Sequence, residues 1–440
     1  MINRKSVIKS FYNLNKFIER TPLEFNNRLS KLYNCNIYFK REDKQLVRSF
    51  KVRGALNKIL NLKDSDKKNG IVCASAGNHA QGFAYSCNKL NLKGDIFVPE
   101  NTPLQKINRI KDFSNNTCNL HVFGNNFNEC LGKSLEFANE NNKSFIHPYD
   151  DYYTIEGQGT IAKEIYDEIN PDYILGCIGG GGLISGIGLY AKNIHINNYK
   201  ENDVIFEKEK LNFLDISLGK NLYKNIKIIG VEPSTCPSMY ESIKNKSIVE
   251  LEINDTFVDG ATVSKVGNKT FNICSQVIDD IYISNVGKIC ETMLELYQED
   301  GIIVEPAGAL SVSALDQLDR NKIKDKNIVC VISGGNNDIT RYPEVIERCL
   351  RYQGLKHYFI VKFLQKPGEL KKFINNILGK DDDITRFEYM KKTNKEYGNV
   401  LIGIQLGKKE NIINIEKELF NSNFEFIKIN ENDLLYSYLI

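Results

Sequence analysis

The sequence predicts an α/β protein built on parallel strands covered on both faces, followed by a smaller α/β sandwich. Three observations carry this. From about residue 35 to 345, short β-rich apolar runs alternate with longer amphipathic segments; glycine-bearing, charge-poor segments follow three of those runs; and the periodicity changes after His357. The runs are "IVCA" at 71, "DIFVP" at 95, "YILGCI" at 173, "KIIGV" at 227 and "NIVCVI" at 327. Near-continuous apolar runs separated by helical patterns are what parallel strands buried on both faces require. In such sheets ligands sit beyond the carboxyl ends of the strands, where strand order reverses. The segments to watch are therefore "SAGNHAQG" after Ala74, "GGGGLISG" after Ile178 and "SGGNND" after Ile332.

The tail reads differently. "HYFIVKFL" alternates in period 2, "KPGEL" opens a helical stretch to Leu378, and "ITRFEYMKK" and "NVLIGIQL" alternate again. A helix from about Asn411 and a strand at "FEFIKI" complete a βαββαβ order, in about 80 residues, a size at which domains fold alone. No cluster of polar groups there suits catalysis. Regulation or oligomerisation is the expected role, with an added structural cap as the plain alternative. Two domains are expected, residues 1–350 and 356–440, and the polar stretch 193–225 reads as a surface insertion, longer than a helix-to-strand connection needs.

Composition excludes several classes. With 440 residues, 42% hydrophobic and 26% charged, the chain can bury a large core. Lys and Arg number 58 against 55 Asp and Glu, so nothing favours nucleic acid as a partner. No apolar run approaches the roughly 18 residues of a membrane span. The chain reads as cytoplasmic, although its amphipathic, acid-poor first 18 residues leave an organellar transit peptide open. The eleven cysteines stand alone, at 35, 73, 87, 118, 130, 177, 236, 274, 290, 330 and 349, with no C-x-x-C, and the five histidines are dispersed. The ligand spacings of zinc sites are missing, so no metal is expected and the thiols read as small buried hydrophobes.

Four consecutive glycines make a poor strand and a poor helix. Between a strand and a helix, however, Gly179, Gly180, Gly181 and Gly182 can aim bare amides at one point, ahead of a helix N-terminus that favours negative charge. A phosphate is the expected occupant; close strand–helix packing is the alternative. The match of residues 186–191 to G-x-G-x-x-A starts inside the predicted helix, where amides are already bonded, and no G-x-x-x-x-G-K-[ST] occurs.

"SFKVRGA", "SAGNHAQG" and "GGGGL", followed in order by "GVEP", "FVDGATV", "VEPAGA" and "SGGN", closely resemble the threonine dehydratases among the fold-type II (tryptophan synthase β-like) pyridoxal-phosphate enzymes. The tail, with "HYFIVKF", "PGEL" and "DDDITRFEY", resembles the single ACT-like regulatory domain of the biosynthetic branch. The resemblance implies pyridoxal 5'-phosphate as cofactor and Lys51 as the lysine that bonds its aldehyde and later takes the Cα proton. It places Phe50, Asn78, Gly179, Gly180, Gly181, Gly182, Leu183 and Ser333 around the cofactor, Asn78 on the ring 3-hydroxyl and Ser333 on the pyridine nitrogen. The amides of Ser75, Ala76 and Gly77 are expected to hold the substrate carboxylate, and His79 to hold the loop.

The chemistry of these residue types agrees with the resemblance. A primary amine is needed to capture an aldehyde, and a helix start plus partial burial both favour its neutral form. Each residue also has a plain reading: a surface lysine, an asparagine as helix N-cap, a serine closing a strand. A hydroxyl on the ring nitrogen donates a neutral hydrogen bond and leaves the ring a weaker electron sink, which favours expulsion of a β-leaving group. Ala76 has a methyl where similar serine racemases place a hydroxyl base, so racemisation is expected to be weak. The expected reaction is dehydration and deamination of L-threonine to 2-oxobutanoate and ammonia, and less efficiently of L-serine. Isoleucine as inhibitor, valine as antagonist and a homotetramer are implied. Another β-eliminating enzyme of the same fold, such as a serine dehydratase, and a catalytically silent amino-acid sensor are the alternatives.

Overall fold

The computed structural model describes residues 2–194, 196, 226–389 and 395–430. The chain divides into two compact units, Met1–Asn337 and Asp338–Ile440. Among the described residues, ten strands belong to the first: β1 Leu23–Phe25, β2 Asn36–Arg41, β3 Ile71–Ala74, β4 Gly94–Val98, β5 Cys118–Val122, β6 Ser144–Phe145, β7 Tyr173–Cys177, β8 Lys227–Pro233, β9 Asp280–Ser284 and β10 Asn327–Ile332. Four described strands belong to the second: β11 Lys356–Leu364, β12 Asp383–Tyr389, β13 Tyr397–Gln405 and β14 Glu425–Ile429. All five apolar runs of the sequence are strands, and all five pair in parallel.

The first unit holds two sheets. One has the order β1-β2-β10-β7-β8-β9, parallel except for the β1–β2 edge; the other has the order β5-β4-β3-β6, parallel throughout. In each, the chain builds outward in one direction and then returns to the other side. The reversals fall between β7 and β10 and between β3 and β6. Strands β3, β7 and β10 carry the three glycine-bearing segments, so both reversal points coincide with the candidate site. The sheets are covered by helices because their strands are buried on both faces: β3, β4 and most of β7, β8 and β10 have no exposed side.

Glycines set how closely the helices approach. A Cβ on Gly54, in the helix Lys51–Leu60, would lie 2.8 Å from the Thr154 carbonyl oxygen, and one on Gly157 2.5 Å from that of Arg53. The helices Lys51–Leu60 and Tyr152–Tyr166 thus cross with backbones in contact. Gly186 repeats the device: a Cβ there would sit 2.3 Å from the Ile155 carbonyl oxygen. The G-x-G-x-x-A match of residues 186–191 lies within the helix Gly182–Ala191 and serves packing.

The second unit is an antiparallel sheet in the order β12-β13-β11-β14, with the helices Glu369–Ile377 and Asn411–Asn421, giving the βαββαβ succession. Phe359, Val361, Phe363, Phe373, Ile402 and Leu419 form its core. The helix Tyr342–Tyr352, whose first nine residues the sequence reading places in the first domain, groups with this unit; the Tyr358 hydroxyl donates to Glu347 at 2.8 Å.

Among the described residues no helix is long and apolar enough to cross a membrane. The amphipathic start forms the helix Arg4–Leu14, whose Val7, Phe11 and Leu14 are buried. All eleven cysteines are free, ten buried and Cys118 half-buried. Of the stretch 193–225, residues 195 and 197–225 lie outside the described residues; Ile196 forms an antiparallel bridge with Ile2.

Candidate active site

Lys51 opens the helix Lys51–Leu60, preceded by Phe50, which is buried. The Phe50 amide donates to the Ser333 carbonyl at 3.1 Å, and Ser49 forms a bridge with Gly334. The segment carrying the lysine is therefore pinned to the segment after β10. The Lys51 ammonium donates to the Pro148 carbonyl at 3.1 Å, in the segment after β6. Burial pushes its amine down to about 8, against the opposing pull of Cys177 and Glu305. The expectation of a lysine with an accessible neutral form has its main cause in desolvation.

Beyond Cys177, Gly179, Gly180 and Gly181 turn into the helix Gly182–Ala191. Gly181 caps it at φ 92°, a conformation that disfavours a side chain. A Cβ on Gly180 would meet the Tyr149 ring at 2.3 Å, and one on Gly182 the Tyr149 Cβ at 3.0 Å. On Gly181 it would meet the Met239 methyl at 2.7 Å, and on Gly179 the Ala261 Cα at 3.2 Å. The glycines thus serve close packing as well as leaving a collar of backbone at a helix start, whose first amides have no intrahelical carbonyl to reach. Leu183 is buried. Thr270 holds the turn, its hydroxyl donating to the Gly180 carbonyl at 2.6 Å. Gly180→Ala is expected to destabilise the protein by about 1–3 kcal/mol through overpacking against Tyr149. Thermal unfolding with and without added pyridoxal phosphate checks this, and an unchanged melting temperature in both would contradict it.

Asn78 is the first residue of the helix Asn78–Leu90, and the N-cap is Gly77. Its side chain does not cap the helix. Asn78 Nδ2 donates to Glu305 Oε1 at 2.7 Å, and Oδ1 accepts from Asn336 Nδ2 at 2.7 Å. Of the three amides expected to receive the substrate carboxylate, those of Ser75 and Gly77 have partners within the chain. Ser75 N–H donates to the Phe97 carbonyl, because the β3–β4 ladder runs one residue past Ala74, and Gly77 N–H donates to Ser75 Oγ at 3.2 Å. Gly77 faces open space, with no atom beyond its chain neighbours within 4 Å of where its Cβ would be. His79 is buried, its Nε2 is 2.8 Å from the Ile146 carbonyl, and burial pushes it down to about 3, so it is a neutral brace for the loop.

Ser333 follows the last residue of β10 and is buried, its hydroxyl 3.2 Å from the Ala307 carbonyl. Cys177, at the end of the neighbouring β7, lies beside it; burial raises that thiol to about 11, although Ser333 hydrogen-bonds it. Hydrogen bonds and a bridge therefore tie the segments carrying Lys51, Asn78 and Ser333 to one another, and Cys177, two residues before the glycine turn, lies beside Ser333. Sequence reasoning left Tyr149, Cys177, Glu305 and Asn336 without roles there. The motifs "VEPAGA" and "SGGN" contain two of them; Tyr149 had no motif to signal it.

The donor set fits pyridoxal phosphate. It offers an amine of lowered pKa for an aldehyde, a glycine cradle for a phosphate, a hydroxyl for a ring nitrogen and an amide N–H for a ring oxygen. The comparisons agree with this fit. The family "Pyridoxal-phosphate dependent enzyme" matches residues 14–334, and the "C-terminal regulatory domain of Threonine dehydratase" matches residues 347–439. The chain is 45% identical over 445 residues to the L-threonine dehydratase biosynthetic IlvA of Staphylococcus epidermidis and to that of Staphylococcus aureus, covering 100% of this chain and 99% of each relative. The processed form of threonine deaminase isoform 2 from Solanum lycopersicum superimposes with a TM-score of 0.68 at 32% identity, over 79% of this chain and 96% of that one. This chain belongs to the pyridoxal-phosphate dependent enzyme family and, within it, to the biosynthetic threonine dehydratases.

Proposed function

We propose that the protein converts L-threonine to 2-oxobutanoate and ammonia as a step of isoleucine biosynthesis. The observation that carries this is the linkage of the segments bearing Lys51, Asn78, Ser333 and the turn at residues 179–182, in a chain similar to L-threonine dehydratases from end to end. Pyridoxal phosphate, when bound, supplies an aldehyde that captures the substrate amine and a ring that draws electrons from Cα. Lys51 would hold the cofactor at its aldehyde carbon, and its neutral amine, once free, would take the proton from Cα. The glycine turn would anchor the phosphate, Ser333 would donate a neutral hydrogen bond to the ring nitrogen, and Asn78 would donate to the ring oxygen. Ser75 Oγ and the open face of Gly77 flank the place for the substrate carboxylate. The methyl of Ala76 offers no second base. Departure of the β-hydroxyl as water is followed by hydrolysis that returns one water and releases ammonia, so the net reaction consumes none.

The second unit is proposed to bind isoleucine as inhibitor, with valine opposing it, in a homotetramer. Isoleucine lowers activity only if it binds the less active arrangement more tightly. The test compares the full chain with one truncated after Arg351, each given L-threonine or L-serine with and without isoleucine. Formation of 2-oxobutanoate faster than pyruvate, and loss of isoleucine sensitivity on truncation, are the expected results. A preference for serine would move the assignment to a serine dehydratase, and a truncated form as isoleucine-sensitive as the full chain would remove the regulatory role from the second unit.

A further inference from the structure

Glu305 precedes the helix Pro306–Ser313, is 7% exposed and has no cationic side chain bonded to it among the described residues. A buried, unpaired carboxylate is costly, so its place needs a reason. The surroundings are shaped to admit it: a Cβ on Gly334 would stand 2.5 Å from Glu305 Oε1, and one on Gly260 3.5 Å away. The carboxylate accepts from Asn78 Nδ2 at 2.7 Å.

The hydrogen bonds form a chain with one allowed direction. The Val47 carbonyl can only accept, so Asn336 presents Nδ2 to it, at 2.8 Å. That same nitrogen donates to Asn78 Oδ1. With its oxygen engaged there and one Nδ2 hydrogen on Glu305, Asn78 has its other N–H to offer a ligand. Rotating the Asn78 amide by half a turn would set nitrogen against the Asn336 nitrogen and oxygen against a carboxylate oxygen. Both contacts are repulsive.

We propose that Glu305 is a positioning residue: it fixes the Asn78 amide so that an N–H, and not the carbonyl oxygen, faces the ring oxygen of the cofactor. This rests on the reading of Asn78 as the residue facing that oxygen. Protonation of Glu305 would let the carboxyl donate and make the turned amide tolerable on one side. Burial and Asp259 push Glu305 up to about 7, against Asn78, Lys106 and the Asn336 backbone N–H, and its charge also reaches Lys51 and Cys177.

The experiment measures binding of pyridoxal phosphate and of its 3-deoxy analogue to full-length protein freed of cofactor, by equilibrium dialysis. The wild type is expected to prefer pyridoxal phosphate by about 10-fold or more, the size of a hydrogen bond to a charged oxygen. Asn78→Ala and Glu305→Leu are both expected to bring that ratio near one, while Glu305→Gln, whose side chain can donate as well as accept like a protonated carboxyl, lowers it part of the way. A wild-type ratio in Glu305→Leu, with Asn78→Ala near one, overturns the role of Glu305 alone. A wild-type ratio in Asn78→Ala overturns the reading of Asn78 and this proposal with it. Should Glu305→Leu not fold, the ratio is followed from pH 8 to 6 in wild type and Glu305→Gln. It should fall on acidification through about 7 in the wild type and stay level in the variant; parallel curves overturn the proposal.

Discussion

Lys51→Ala is expected to abolish threonine turnover, with a loss of about 10⁴-fold or more in kcat, since on its proposed roles one change removes both the amine that holds the cofactor and the base at Cα. The variant should also lack the absorption band that borohydride converts to a stable adduct, and peptide mapping of the wild type should place that adduct on Lys51. Truncation leaves little strain behind, because among the described residues the ammonium has one hydrogen-bond partner, the Pro148 carbonyl. The pH dependence follows from burial. The attacking form is the neutral amine, and burial holds the group at about 8. Cofactor capture by the stripped protein should therefore quicken as pH rises toward 8 and level off above it. Retained turnover, or an adduct on another lysine, would refute the assignment.

Much of this site was legible because the chemistry constrains residue types within short motifs. Five apolar runs gave five parallel strands, and the period-2 segments after His357 gave the four-stranded sheet, since burial on both faces or on one writes itself directly into the pattern. Four of the strands outside those runs are short or half-exposed edges: β1 has three residues, β6 has two, β5 has no buried residue and β9 has one. The fifth, β2, lies inside its sheet, but its lysine and arginine are buried in ion pairs and break the apolar run. Hydrogen-bond partners at the site were not legible. Whether the Ser75 amide is open depends on how far the β3–β4 ladder runs, and whether Asn78 caps a helix depends on a glutamate 227 positions away. The glycines were only partly read. A run of four announces a phosphate turn, yet the wall they press against, Tyr149, comes from a segment with no pattern of its own.

Those long-range partners also explain what holds the catalytic helix in place. Two residues beyond Lys51, Arg53 enters a cluster of side chains that are at most 1% exposed: Arg53, Lys40, Glu42 and Glu164. Its guanidinium meets Glu42 Oε2 at 2.8 Å through Nε and Glu164 Oε1 at 2.7 Å through Nη1; Lys40 meets Glu164 Oε2 at 2.6 Å. The two cations and two carboxylates come from β2, the turn that follows it and the helices Lys51–Leu60 and Tyr152–Tyr166. As a set the charges cancel, and thereby the helix bearing Lys51 is fixed to the sheet and to the helix it crosses.

Glu164→Gln is accordingly expected to cost about 3–5 kcal/mol of stability, because it leaves two buried cations facing one carboxylate. Replacing an exposed partner would do far less. The wild-type group also sets an acid limit. Burial alone would raise Glu164, but Arg53 and Lys40 outweigh it and hold the carboxyl at about 2. Its folded value lies below its unfolded value, so its contribution is complete above the ordinary carboxylate range near 4.5 and disappears as pH falls toward 2. Urea unfolding of wild type and Glu164→Gln at pH 7 and at successively lower pH measures both effects. The difference in stability should be largest at neutral pH and shrink on acidification below about 4.5. A difference under 1 kcal/mol at pH 7, or one that grows in acid, would show that the cluster does not hold the Lys51 helix in place.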